Sequence, residues 1–266
     1  MIFRSLVILC ALSACAASNE SALSAAANPA PSAEPQAEER KVEAPNAESD
    51  LKRARSLIKL GQNKGALQIL AKWESVPDAP AEILYALGRL KASSNQLVKA
   101  TELYARAIKL HPNRSWRIEL AAIYDFAGKP ESAISLYQAL LNEKDEPDLR
   151  RELGLTFLMA QRPTEAVEEL QKALVSKPSL DTRAELSLAL CKAQRYQKAD
   201  TTLREGVQAT VEGTYAPAVL GEILQCLGDA AAALDLVKEL KSRVEPALYQ
   251  RLIEALSKQA HSGQGS

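Results

Sequence analysis

From residue 47 onwards, small and large apolar residues return at fixed distances along an otherwise polar chain. Six alanines, Ala66, Ala100, Ala133, Ala166, Ala199 and Ala233, stand 34, 33, 33, 33 and 34 residues apart. Twelve residues before each lies another small residue (Ala54, Gly88, Ala121, Gly154, Ser187 and Gly221). Four residues after each comes a bulky one (Leu70, Tyr104, Tyr137, Leu170, Leu203 and Val237). A lone pair of helices cannot bury its apolar face and must stack on its neighbours, so a period near 34 predicts a helix-turn-helix solenoid. The small residues are its contact points, because two helices reach the short end of roughly 8–10 Å separation only where a side chain is little more than a methyl. Between the two small positions the pattern breaks at Gly61, Asn95, Gly128, Gln161, Gln194 and Gly228. Glycine takes the left-handed conformation cheaply and polar residues tolerate a helix end, so each break is a turn. Pro112 and Pro178 close two second helices, since proline lacks the amide that would continue the ladder. The fold class is all-α, with about six helix pairs over residues 47–245.

Pro246 opens one more segment, in which Leu248, Leu252, Ile253 and Leu256 fall on one stripe and Arg251, Glu254, Lys258 and Gln259 fall opposite. This predicts an amphipathic helix over 246–260 that caps the apolar face of the last repeat. Residues 261–266, with two glycines, read as a frayed tail. At the other end, Arg4 precedes the run Leu6-Val7-Ile8-Leu9-Cys10-Ala11. The run is too short to span a bilayer, which takes about 20 residues, and reads as an export signal over 1–14. From Ala16 to Asn46 the composition is alanine, proline, serine and glutamate, with Leu23 and Val42 the only large aliphatics. Such a segment cannot bury enough apolar surface to fold and acts as a tether, spanning on the order of 30 Å as a coil.

The repeated segment resembles the tetratricopeptide repeat family, whose first helix sets a bulky residue beside a small one. Leu87-Gly88, Leu120-Ala121, Leu153-Gly154, Leu186-Ser187 and Leu220-Gly221 carry that pair. Ala107, Ala173, Gly206 and the phrase Gly128-Lys129-Pro130-Glu131-Ser132-Ala133 extend it. Departures are Arg53 as the bulky partner of Ala54, and Asp78, Asp145, Val211 and Glu245 near the places of four missing closing prolines. The resemblance implies a right-handed superhelix with a concave groove that takes peptides. Leu12-Ser13-Ala14-Cys15 resembles the lipobox of bacterial lipoproteins. That resemblance implies a mature chain starting at a triacylated Cys15 and running as tether through residue 46. Ala16 after the cysteine implies sorting to the periplasmic face of the outer membrane. An ordinary cleaved signal with a soluble product is the other reading of these residues.

Composition narrows the function. Lys plus Arg and Asp plus Glu both count 33, so no basic excess argues for nucleic acid, and 5% aromatic content is too sparse for a stacking platform. Two histidines, His111 and His261, cannot assemble a metal cluster. No HExxH, GxxxxGK or GxSxG phrase appears, so no catalytic residue, cofactor or small-molecule substrate is assigned. Glu165, Glu168 and Glu169 read as a solvated face. Cys191 and Cys226 occupy nearly the same place in adjacent repeats. They are either a disulfide of an oxidising compartment or two buried free thiols.

In the register that the resemblance implies, the groove shows Leu51, Arg55, Ile58, Lys59, Glu82, Tyr85 and Arg89 from the first two repeats. Ile118, Asp125, Phe126, Arg151, Leu155, Leu158 and Met159 follow from the next two, then Leu188 and Cys191. The partner-binding set is Tyr85, Arg89, Ile118, Phe126, Arg151, Leu155, Leu158, Met159 and Leu188. Its greasy middle suits an apolar docking segment, or else packs as core. The lysine and asparagine of the family's carboxylate clamp are absent, with Tyr85, Arg89, Arg151 and Leu155 in their places. The expected function is a non-enzymatic, lipid-anchored scaffold for envelope proteins. The chain resembles pilotins and the tight-adherence pilus lipoprotein in architecture, which implies a secretin or pilus component as partner. Adaptors for cell-wall enzymes or outer-membrane protein assembly are the alternative, and a glycan-cleaving enzyme is a remote one.

Overall fold

The computed structural model describes residues 46–208, 214–228 and 230–262, with backbone alone at 207, 208, 218, 230–232 and 258–262. The export signal, Cys15 and the tether up to residue 45 lie outside the described residues, as do Val211, residues 263–266 and the side chains of Lys258 and Gln259. Thirteen α-helices and no strand make up the described chain. They are α1 (Ala47–Lys59), α2 (Asn63–Leu70), α3 (Ala81–Ser93), α4 (Leu97–Leu110), α5 (Arg114–Phe126), α6 (Pro130–Glu143) and α7 (Pro147–Met159). There follow α8 (Pro163–Ser176), α9 (Leu180–Lys192), α10 (Tyr196–Gln208), α11 (Pro217–Leu227), α12 (Ala230–Glu239) and α13 (Pro246–Ser262).

The six pattern breaks are the six positive-φ positions among the described residues, from Asn95 at 59° to Gly61 at 74°. At Gly61 the amide donates to the Ile58 carbonyl, and the next amide, Gln62, reaches back to Leu57 at 2.9 Å. This is the paired closure that satisfies the last carbonyls of a helix. The same reach recurs from Gln96 to Lys91, Lys129 to Tyr124, Arg162 to Phe157 and Arg195 to Leu190. Asn95, Gln161 and Gln194 hold this conformation with a side chain attached, at a cost of about 1–2 kcal/mol each. Prolines open α6, α7, α8 and α11, where a missing amide costs nothing. The side chains of Asn46, Asn113 and Ser179 accept from the third amide of α1, α5 and α9.

Packing follows the repeat. All six period-setting alanines and their bulky partners are at most 1% exposed. A Cβ added to Gly88 would stand 2.8 Å from the Tyr104 ring, and one on Gly154 would stand 2.6 Å from Leu170 Cγ. Those two glycines therefore set how closely the helices of their hairpins approach. Hairpins α1/α2, α3/α4, α5/α6, α7/α8 and α9/α10 each pack internally, and α2, α4, α6 and α8 each rest on the first helix of the next pair.

The first and last parts depart from this plan. Helix α2 is short, and the chain after it turns at Ala71–Trp73 before α3. There the Trp73 indole and the Lys72 ammonium both reach the buried Asp50 carboxylate, at 3.0 and 2.7 Å. Arg106 donates to the carbonyls of Glu74 and Val76, and Lys91 pairs with Glu74 at 2.8 Å. At the far end α11 leans on α9, and a Cβ on Gly221 would meet open space. Five regular hairpins are thus followed by a sixth pair with looser geometry at its contact point. Tyr215, 1% exposed, locks that region by donating from its hydroxyl to the Leu203 carbonyl at 2.9 Å and from its amide to Arg243 at 2.7 Å. Burial pushes its phenol up to about 12. Helix α13 covers α12 with Leu248, Leu252, Ile253 and Leu256, leaves Arg251 and Glu254 exposed, and runs to Ser262 rather than ending at 260.

Candidate functional site

The first helices of the repeats share a face, and α3, α5 and α7 supply most of its side chains. Tyr85 of α3 forms one wall. Its ring stacks on Trp116 at 4.5 Å and meets Tyr104 edge-on at 5.5 Å, while its hydroxyl donates to Glu119 Oε1 at 2.9 Å. The Tyr104 hydroxyl donates to the other Glu119 oxygen at 2.6 Å. Arg89 leans over the Tyr85 ring, with its Nε 3.6 Å from Glu119. Burial, and then the neighbouring Glu119 charge, push the Tyr85 phenol up to about 12, and the same causes push Tyr104 higher still. Both phenols donate to the one Glu119 carboxylate, which fixes this wall as an aromatic surface.

Beyond it lies a stripe of half-buried apolar residues: Ile118, Ala122 and Phe126 on α5, then Leu155 and Leu158 on α7, with Met159 48% exposed. Arg151 borders this stripe, half-buried and held by both Glu185 oxygens in a forked pair whose Nε contact is 2.6 Å. Tyr85 and Arg151 occupy the same place in their repeats, and each reaches a glutamate 34 residues on. The sequence reading missed those glutamates. Glu119, Glu152 and Glu185 recur at a spacing of 33, each directly before the bulky–small pair of its repeat, and that recurrence was the available signal.

Two expected groove residues, Leu188 and Asp125, are buried instead, and two more, Leu158 and Ile118, are shared with the core. Leu188 is 8% exposed, because it packs in one cluster with Leu220, Ile223 and Leu224 of α11. The terminal helices thus close the groove floor at the fifth repeat. Asp125 is 5% exposed and accepts from Thr156 Oγ1 at 3.0 Å, so it is an internal brace between repeats and not a groove carboxylate. Leu158 packs against two core clusters at once and Ile118 against one, so each serves core as well as surface. Phe126, Leu155 and Met159 belong to none of the core clusters and are the free part of the stripe. Cys191 and Cys226 are joined in a disulfide with Cα atoms 6.1 Å apart, which ties α9 to α11.

A cleft of about 580 Å³ between α8 and α10, above Leu186 and Leu190, shares none of these groove residues. Among the described residues no three His, Cys, Asp or Glu side chains converge as a metal group, and no helix is long and apolar enough to cross a membrane.

Residues 118–181 match the tetratricopeptide repeat family model. Among solved structures, the chain is similar to MamA from Desulfovibrio magneticus RS-1, with 18% identity and a TM-score of 0.55 over 60% of this chain and 92% of that one. It is similar to a tetratricopeptide repeat protein from Parabacteroides merdae at 18% identity and a TM-score of 0.53, over 79% of this chain and 98% of the other. At that identity the likeness shows the fold alone, a solenoid of the tetratricopeptide repeat kind. No curated protein sequence matches the chain.

Proposed function

We propose that the protein is a non-enzymatic, lipid-anchored scaffold of a bacterial envelope that holds a partner protein in the groove of α3, α5 and α7. The observation that carries this reading is the stripe of Phe126, Leu155 and Met159. It is apolar, half-buried at Phe126 and Leu155 and exposed at Met159, and left out of every core cluster, on the helices that carry the aromatic wall and the forked ion pair. Contiguous exposed apolar surface on a folded domain marks a docking site, and a methionine beside a leucine adapts to an inserted helix. The envelope part of the reading rests on the lipobox-like Leu12-Ser13-Ala14-Cys15, and the favoured partner, a secretin or pilus component, rests on architectural resemblance.

The test places a photo-activated cross-linking residue at Phe126, at Leu155 and, as a control, at Thr201 on the α8–α10 cleft. Discrete adducts with one envelope protein from the two groove positions, absent at Thr201, support the reading. Equal capture at all three positions, or capture at Thr201 alone, overturns it. In parallel, native protein extracted from membranes should carry an acyl adduct on Cys15, and Cys15→Ser should leave the membrane fraction.

A further inference from the structure

Along α3 to α10 several basic side chains are held by acidic neighbours: Arg114 with Glu146, Arg117 with Glu143, Arg150 with Glu169 and Arg183 with Glu205, while Lys109, Lys129, Lys192, Arg195 and Lys198 stand exposed outside any salt bridge among the described residues. Helix α1 gathers such unpaired cations most densely. Lys52, Arg55 and Lys59 lie at helical spacings of three and four residues and share its outward stripe, with Arg53 beside them and Lys64 at the start of α2. All five are exposed, and among the described residues none is in a salt bridge. The two acids of the helix do not cancel them. Asp50 faces inward and is taken up by Lys72 and Trp73, which leaves Glu48 as the one exposed carboxylate of α1. Leu60, at the end of the same helix, is 70% exposed. The opposite end of the solenoid is different, since α13 exposes Arg251 and Glu254 together.

A polar outer face suffices to keep a terminal repeat in solution, but it needs no single sign of charge. We propose that this face of α1 and the start of α2 is a docking surface for an anionic phospholipid bilayer. The chemistry favours a bilayer over a nucleic acid or a peptide. The cations, among them Arg55 and Lys59 that the register assigned to the groove, sit on α1 and the start of α2 with long aliphatic stems, no aromatic residue stands among them in sequence, and the exposed Leu60 lies at their edge to enter the headgroup layer. Each cation near an anionic leaflet raises partitioning about fivefold, and the effect fades within a Debye length of about 10 Å at 0.1 M salt. The face is therefore effective only when something brings it close. That placement rests on the lipid-anchor reading, in which α1 is the first helix beyond the tether. The surface chemistry itself does not depend on it.

The experiment uses the full chain carrying Cys15→Ser, so that no acyl group contributes, in co-sedimentation with phosphatidylglycerol-containing vesicles and with pure phosphatidylcholine vesicles. It is compared with the same chain bearing Lys52→Gln, Arg55→Gln and Lys59→Gln. The apolar run Leu6–Ala11 is common to both chains, so their difference reads α1 alone. Binding to anionic vesicles should exceed binding to phosphatidylcholine at least about tenfold, fall as salt rises, and drop roughly a hundredfold in the triple variant while its thermal unfolding stays unchanged. Indifference to lipid charge overturns the proposal, as does a triple variant that binds like its parent. Tighter binding to an oligonucleotide than to vesicles at equal ionic strength also overturns it. An acyl adduct missing from native Cys15 would strike the anchor reading and leave the vesicle result standing.

Discussion

At Gly154 the space for a single methyl group decides whether two helices can meet. Its absent Cβ would lie 2.6 Å from Leu170 Cγ, whereas the corresponding Cβ at Gly221 has nothing within 4 Å. Alanine favours a helix over glycine by about 1 kcal/mol, while forcing a methyl into a packed contact costs about 1–3 kcal/mol. The sign should therefore differ between two glycines that hold the same place in their repeats. Gly154→Ala is expected to destabilise by about 1–2 kcal/mol and Gly221→Ala to stabilise by just under about 1 kcal/mol, read as shifts in the denaturation midpoint. Equal effects would mean that the sixth pair packs like the fourth. The period alone placed both glycines correctly. What it could not convey is that α11 leans on α9, because the spacing of small residues records which position is a contact and not which helix comes to fill it.

Helix α1 is tied to the turn after α2 through a buried carboxylate, Asp50. Burial alone would raise the Asp50 carboxyl, but hydrogen bonds from Lys72 and Trp73 outweigh it and hold it below the usual carboxylate range. The Lys91 ammonium, against some burial, does the same for Glu74. A depressed carboxyl contributes stability above its unfolded pKa, near 4, and that stability is lost as pH falls through the lower folded value. The exposed carboxylates where α6 gives way to α7, Glu143 and Asp145, are also held low by arginines, but in full solvent such pairs contribute little. Acidification from neutral pH to about 3 should therefore release amide protection in α1 and α2 before α5 to α8, measured by hydrogen exchange, and Asp50→Asn should flatten that dependence. Loss of protection uniform along the chain would count against it. The turns of these elements were legible in the sequence, because Gly61, Asn95, Gln161 and their fellows interrupt an apolar period. The Asp50–Trp73 brace was not, since it joins two residues 23 apart across an irregular turn that belongs to no repeat.

Across the whole described chain, buried residues fall into three clusters that hand over at α5 and again near Leu158. The register of the first helices did mark Phe126, Leu155 and Met159 as positions outside the core, and the structure leaves the first two half-buried and the third exposed. Leu188 was misread for a reason outside its own repeat: α11 folds back over it. The cover is held by a covalent bond between residues 35 apart, and closing a loop of that length removes about 4 kcal/mol of freedom from the unfolded chain. Reduction should lower the stability of α11 to α13 by about that amount, with α1 to α8 nearly untouched. Site-resolved exchange with and without a dithiol reductant would show it, and an unchanged C-terminal third would refute it. The bridge joins neighbouring repeats nearly one period apart, so it also records where the chain matured. A molecule that folds among cytosolic thiols keeps two free sulfhydryls and an unlatched end, whereas one that folds beyond them is stitched shut. Alkylating living cells before lysis, and weighing the protein afterwards, would turn Cys191 and Cys226 into a stamp of the compartment it last passed through.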